Sequence, residues 1–203
     1  MAGLRERKKL ATRKAIHDAG VRLFAEQGFA ATTMEQIAEA ADVSRATVFT
    51  YYATKEDVVF GDAPAAIAAL AEQLRGTPAT IPAVRDWLRP LTGWMEPGML
   101  VQRRLAREVP AIGARRAQLF RVVEEVVADA LEAELGAGRR LSARLAASAL
   151  VAALGVAEDA AAEKIEREGR ALDPEEIDAI LDAAVAFAEA GIATLPDRRA
   201  GQV

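Results

Sequence analysis

The chain has 203 residues, enough to bury a sizeable core as one domain or two small ones. It has no Cys and one His, which excludes disulfides and thiolate metal sites and leaves a histidine metal site without a second ligand. The net charge of −4 is unevenly spread: Arg5, Arg7, Lys8, Lys9, Arg13, Lys14 and Arg22 against Glu6 and Asp18 give the first 22 residues +5, leaving −9 for the rest. A local basic patch attracts a polyanion whatever the chain's total charge.

Ala is abundant, aromatics are 5% of the chain and long β-branched runs are missing, so helix is favoured almost throughout. The first helix is expected from about residue 7 to Gln27, stopped by Gly28, with Ile16, Ala19, Leu23 and Phe24 as its buried stripe. His17 lies on this basic helix, exposed or half-buried. Thr33 followed by Gln36 is a capping box opening a second helix, with Ile37, Ala38 and Ala41 on one face. Ala41-Asp42-Val43 ends it, and the turn needs a left-handed residue, which Asp42 tolerates better than most. Ser44 caps a third helix. Val43, Val48 and Tyr52 point inward, and Arg45, Thr47, Thr50 and Tyr51 outward. Two short helices joined this way form a helix-turn-helix, a device for placing the second helix in the DNA major groove. Outward Arg, Thr and Tyr suit phosphates and base edges. A helical hairpin inside an all-helical domain would share the buried pattern without requiring those outward residues.

A fourth helix is expected from Thr54 to about Arg75, with a kink or break at Ala63-Pro64. Gly76 to Pro82 reads as a loop. A fifth helix, roughly 82 to 94, carries Val84, Trp87, Leu88 and Leu91. Pro97-Gly98 breaks the chain, and a sixth helix runs from Met99 to about Glu108, ended by Val109-Pro110. The seventh runs from about Gly113 to Leu135, with Leu119, Val122, Val123, Val126, Val127 and Leu131 at core spacing. The eighth, about Ser142 to Glu168, is rich in Ala and Gly. The ninth, about Pro174 to Leu195, has Asp173 as cap, Pro174 at its first position and Glu175-Glu176 in its first turn. Small residues on these last two helices would let them pair with a symmetric copy or complete a monomer's core. No apolar run of about 18 residues is expected to cross a membrane, and the basic N-terminus lacks a signal peptide's apolar stretch, so a cytoplasmic setting is expected.

The ordered run RKAIHDAGVRLFAEQGFAATTMEQIAEAADVSRATVFTYYATKEDVV resembles the N-terminal domain of the TetR family of one-component repressors, a resemblance covering residues 9–60. It departs at Tyr52, where Phe is usual, and at Thr50 and Tyr51, positions that vary with the DNA target. LATRKAIHDA followed by TKEDVVFGD is also similar to an actinobacterial branch linked to acyl-CoA-like ligands. The resemblance implies a homodimer paired through the last two helices, a palindromic DNA site and a ligand pocket in the C-terminal region.

These readings combine into an all-α protein of about nine helices: a DNA-binding domain over 1–60, a ligand-binding and dimerisation domain over 61–195, and a disordered tail over 196–203. The DNA-binding candidates are Thr33, Ser44, Arg45, Ala46, Thr47, Phe49, Thr50, Tyr51 and Lys55, with Thr33 and Lys55 at phosphates and Arg45 and Thr47 at base edges. Trp87, Leu91, Trp94, Met95, Met99 and Phe120 are candidates for lining a pocket for a small apolar or amphipathic effector. Six Arg between 103 and 121 either form an ordinary solvated helix surface or receive an anionic head group. No nucleophile–base pair or Gly-rich phosphate loop is visible, so an enzyme is not expected, and neither a cofactor nor a metal is. The rival to DNA binding is a helical adaptor that has lost it.

Overall fold

The computed structural model describes residues 3–88, 97–136 and 138–194. These form ten α-helices, without strands among the described residues: α1 Leu4–Gln27, α2 Met34–Ala40, α3 Arg45–Tyr51, α4 Lys55–Phe60, α5 Ala63–Leu74, α6 Thr80–Leu88, α7 Pro97–Glu108, α8 Pro110–Leu135, α9 Arg140–Glu168 and α10 Pro174–Ala193. The chain divides into two compact units. One comprises Met1–Ala65 with Pro97–Gln118, and the other Ala66–Glu96 with Leu119–Val203. The stretch from Pro97 to Gln118 therefore belongs with the N-terminal helices. The expected tail, 196–203, lies outside the described residues.

In the first unit, Ile16, Ala19 and Phe24 of α1 are buried with Ile37 and Ala38 of α2, Val48 of α3 and Val58, Val59 and Phe60 of α4. Leu23, expected in the same stripe, is only half-buried. Gly20 sets how closely α1 and α4 cross, because a Cβ there would lie 2.4 Å from Val58 Cγ1.

The sequence suggests one helix from Thr54 to Arg75 with its break at Pro64. The break instead falls at Gly61-Asp62, and Pro64 sits in the first turn of α5, where a missing N–H costs little. Gly61 has φ 52°, a conformation that penalises any side chain. A Cβ there would also meet the His17 ring at 2.8 Å.

The six-residue α4 is too short to hold itself, and its neighbours hold it at both ends. Thr54 and Asp57 form a capping box at its start. At its end, carbonyls with no partner inside the helix are taken by side chains. His17 Nδ1 donates to Val58 O at 2.7 Å, Gln102 Nε2 of α7 to Val59 O at 2.6 Å, and Arg13 Nη2 to Gly61 O at 3.2 Å.

The second unit packs Leu70 and Leu74 of α5, Ile81 and Val84 of α6, Val127 and Leu131 of α8, Ala143, Ala146, Ala147 and Leu150 of α9 and Val185 and Ala188 of α10 into one core. Two helix starts differ from expectation. Pro110, expected to end a helix, opens α8, the position where proline is best tolerated. Ser142, expected at the start of the eighth helix, lies inside α9, which begins at Arg140 with no side-chain cap.

The α9–α10 turn is as its residues suggest. Gly169 ends α9 in the left-handed conformation, and Asp173 and Glu176 exchange capping bonds at 2.9 and 3.0 Å. Arg170 and Lys164 hydrogen-bond the Glu176 carboxylate and, with the Asp173 N–H, hold its pKa well below the usual carboxylate range. Contrary to the expectation from sequence, α9 is long and apolar enough to cross a bilayer, by length and composition only. Its alanine stripe is instead buried in the core, as in the core helix of a globular unit.

Candidate nucleic-acid interface

The reading head is built from short helices whose ends are individually secured. Thr33 Oγ1 accepts from Gln36 N at 3.2 Å while Gln36 Oε1 accepts from Thr33 N at 2.8 Å, so the capping box is complete. Asp42 has φ 53° and is the one non-Gly residue with positive φ among the described residues. Val43 N bonds Ala38 O at 3.0 Å across that turn. Ser44 Oγ then accepts from Thr47 N at 3.1 Å and opens α3. With Val48 fully buried, the opposite face of α3 is left to solvent: Arg45, Ala46, Phe49 and Thr50 are all exposed.

The remaining candidates differ in how free they are. Thr47 is half-buried and shares a hydrogen bond with Ser44 Oγ at 2.8 Å. Thr50 donates its hydroxyl to Ala46 O at 2.9 Å, leaving lone pairs outward. Tyr51 is half-buried and lines a cleft within the first unit, with Arg13, Asp57, Pro64 and Arg115 on its other walls. Thr33 is exposed.

Arg45 is the most prominent group on this face. Its Nε lies 2.9 Å from Glu35 Oε1 of α2, and its guanidinium sits 5.4 Å from the centre of the Phe49 ring. Both partners hold it extended above α3. Glu35 is absent from the sequence-derived candidates. Only the crossing of α2 over α3 brings it to Arg45, ten residues away, so no local signal marked it.

Lys55 is engaged within the fold. Expected at a phosphate, its Nζ instead donates to Phe29 O at 2.8 Å and Thr32 O at 2.7 Å, and lies 4.6 Å from the Phe29 ring centre. Those partners, 23 and 26 residues back, could not be read from the local pattern.

Tyr52, the departure from the family pattern, is 2% exposed. Its hydroxyl donates to Arg13 O at 3.2 Å, and the Arg13 guanidinium lies 5.0 Å from its ring centre. Burial pushes the phenol up to about 12, against the opposing pull of Arg13. Tyr52→Phe is expected to cost about 0.5–1.5 kcal/mol, seen as a lower urea midpoint. The folded state favours the neutral phenol. That contribution is therefore full below the ordinary phenol pKa of ~10 and is lost as pH rises through about 12. The Tyr52→Phe variant would lack this alkaline component, and an alkaline profile identical to that of the wild type would remove it from the account.

Of the pocket candidates, Trp87 and Phe120 have described side chains. Trp87 and Phe120 are half-buried in the second unit, and Trp87 packs against its core. Leu91, Trp94 and Met95, and the side chain of Met99, lie outside the described residues. Of the six Arg, 103, 104, 107, 115 and 116 fall in the first unit with the helix-turn-helix, and Arg121 in the second. Arg103 is buried, and Arg115 reaches Gln118 at 3.0 Å and Asp57 at 3.6 Å.

Comparison with known proteins agrees with this geometry. The model of the bacterial regulatory proteins of the tetR family matches residues 16–60. The HTH-type transcriptional regulator TcmR of Streptomyces glaucescens is 46% identical over 56 residues, covering 28% of this chain and 25% of that protein. A Mycobacterium tuberculosis protein designated mycofactocin biosynthesis transcriptional regulator MftR is 36% identical over 83 residues, covering 41% of each. The chain thus matches well under two thirds of the length of these curated relatives. At the level of fold, it is similar to Thermus thermophilus FadR, a TetR-family transcriptional repressor solved with lauroyl-CoA, at 23% identity and a TM-score of 0.52, covering 94% of this chain and 99% of that one. The tetR-family match thus falls across the capped helix-turn-helix, residues 16–60, and the chain as a whole shares an all-helical fold with a known TetR-family repressor.

Proposed function

We propose that this chain is a ligand-responsive, sequence-specific DNA-binding transcriptional regulator that works as a homodimeric repressor in the cytoplasm, without enzymatic activity. The observation that carries the reading is the outer face of α3. Arg45, Ala46, Phe49 and Thr50 stand exposed on a helix whose other face is buried and whose start is capped. Such a face can enter the major groove without unfolding anything. In this reading Arg45 and Thr47 meet base edges, Thr50 and Tyr51 add base or phosphate contacts, and Thr33 meets the DNA backbone at the start of α2. The basic residues of α1 add sequence-independent attraction.

Residues 1–60 serve as the DNA-binding domain and 61–195 as the ligand-binding and dimerisation domain. A second copy is the natural cover for apolar surface left open in the second unit. Leu141, Leu145 and Val156 of α9 are 73, 52 and 69% exposed, and Phe187 of α10 is 67% exposed. Leu141, Leu145, Ser148, Ala152 and Val156 recur at helical spacing on one exposed stripe. A two-fold protein suits a palindromic operator. The effector class that best fits is a small apolar or amphipathic molecule such as a long-chain acyl-CoA, the ligand class bound by the FadR structure. It would release DNA by differential affinity for the two states.

Selection from random duplex DNA with the purified chain tests this reading. The expected product is an inverted repeat, released when a long-chain acyl-CoA is added. Enrichment of no sequence would favour the adaptor, and an inverted repeat indifferent to acyl-CoA would remove that effector class alone.

A further inference from the structure

The ammonium of Lys55 is engaged on three sides within the reading head. It is the first residue of α4, yet it reaches back to the α1–α2 connection and donates to Phe29 O and Thr32 O. The Phe29 ring lies on a third side at 4.6 Å and itself packs against the fully buried Phe24, ring centres 5.2 Å apart. An ammonium has three donors. Two are spent on carbonyls and an aromatic ring covers a further approach, so the group is committed chiefly to the fold.

What Lys55 holds is as telling as how it is held. The Thr32 carbonyl belongs to the peptide that joins Thr32 to Thr33, the cap of α2. The N–H of that same peptide donates to Gln36 Oε1 at 2.8 Å. One peptide plane is thus fixed from both sides, by Lys55 at its oxygen and by the capping box at its nitrogen. The segment before it is secured as well. Thr32, 1% exposed, donates its hydroxyl to Gly28 O at 2.8 Å, and Gln27 Nε2 reaches both Thr32 Oγ1 and Gln36 Oε1. A change at Lys55 would leave two carbonyls of this connection without their partner, a costly state for part-buried groups.

We infer that Lys55 is a positioning residue of the reading head: a part-buried clamp that fixes the direction in which α2, and through the tight turn α3, leave α1, and not a phosphate contact. The inference rests on the DNA-binding role proposed above. Sequence gives the opposite expectation, because a lysine at the start of a helix next to a helix-turn-helix reads as a phosphate ligand.

The full chain tests it through affinity, salt dependence and melting temperature, measured on one selected duplex for wild type, Lys55→Met and Lys55→Arg. The clamp predicts that Lys55→Met weakens binding about tenfold or more, with the slope of log affinity against log salt unchanged, because no phosphate contact is lost. A phosphate contact predicts a slope smaller by about 0.9, with melting unaltered. A role in stability alone predicts a lower melting temperature with wild-type affinity well below it. Either of these two results overturns the inference.

Lys55→Arg keeps the charge and serves if Lys55→Met does not fold. A planar guanidinium cannot reproduce the two-carbonyl seat, so affinity is expected to fall again with an unchanged slope, whereas wild-type affinity in that variant overturns the clamp. Absence of salt-sensitive DNA binding by the wild type overturns the DNA-binding reading first, and the positioning role with it. Wild-type binding combined with a reduced slope in Lys55→Met overturns the clamp alone.

Discussion

Arg45→Ala is expected to weaken binding to the selected DNA site by about 1–3 kcal/mol, roughly tenfold to a hundredfold, and to flatten the preference at one base pair in each half-site. The residue is the first of α3, exposed, and held by Glu35 on one side and by the Phe49 ring beneath. Glu35 takes the Nε donor. The Nη groups remain for a bidentate contact of the kind that identifies guanine. Exposed ion pairs add little to stability, so Glu35 matters here for where it holds the guanidinium. Measured against a panel of single-base variants of the site, the loss is expected to concentrate at one position. Equal weakening on every sequence would make Arg45 a phosphate contact and leave base recognition to Thr47 and Thr50.

Gly20→Ala is expected to destabilise the first unit by about 1–3 kcal/mol. Two effects compete. Replacing Gly by Ala inside a helix ordinarily gains up to about 1 kcal/mol. Against this, the new methyl would sit 2.4 Å from Cγ1 of Val58, a fully buried β-branched side chain with little rotamer freedom. Relief requires α4 to move away from α1, and α4 is tied on several sides through Val58 O, Val59 O and Gly61 O. Overpacking therefore wins. The double variant Gly20→Ala with Val58→Ala is expected to melt closer to wild type than the sum of the two single changes, because the second removes the atom the first collides with. A stabilised Gly20→Ala chain would mean that the two helices do not cross so closely.

How much of this was legible in the sequence depended on the range of the interaction. The Thr33–Gln36 box, the Ser44 cap, the left-handed Asp42 and the Asp173-Pro174 start all rest on contacts within a few residues, and each leaves a local pattern. The all-helical architecture followed from composition and periodicity. The break between α4 and α5 was misplaced at Pro64 because proline is a conspicuous breaker. The decisive residue was Gly61, whose need for glycine comes from its positive φ and from the His17 ring 44 residues earlier. The partners of Lys55 and Glu35 leave no local pattern for the same reason: they lie elsewhere in the fold, Phe29 and Thr32 in the α1–α2 connection and Arg45 on α3. Pro110 reads locally as an ending, although proline is equally at home in a helix's first turn. The inclusion of Pro97–Gln118 in the first unit has no periodic signature at all. It reflects contacts such as Gln102 to Val59, which no window of sequence contains.

The central claim is that two copies of this chain read an inverted repeat through α3. Its most direct measurement is the affinity of the purified protein for a short inverted repeat, from its own gene's flanking DNA or from selection, against a scrambled duplex of equal composition across a range of salt. The account predicts that the repeat binds far more tightly at every salt concentration, with two protein copies per duplex, while both affinities fall as salt rises. Equal, weak and salt-sensitive binding to both duplexes would contradict it and leave a basic helical protein without sequence recognition.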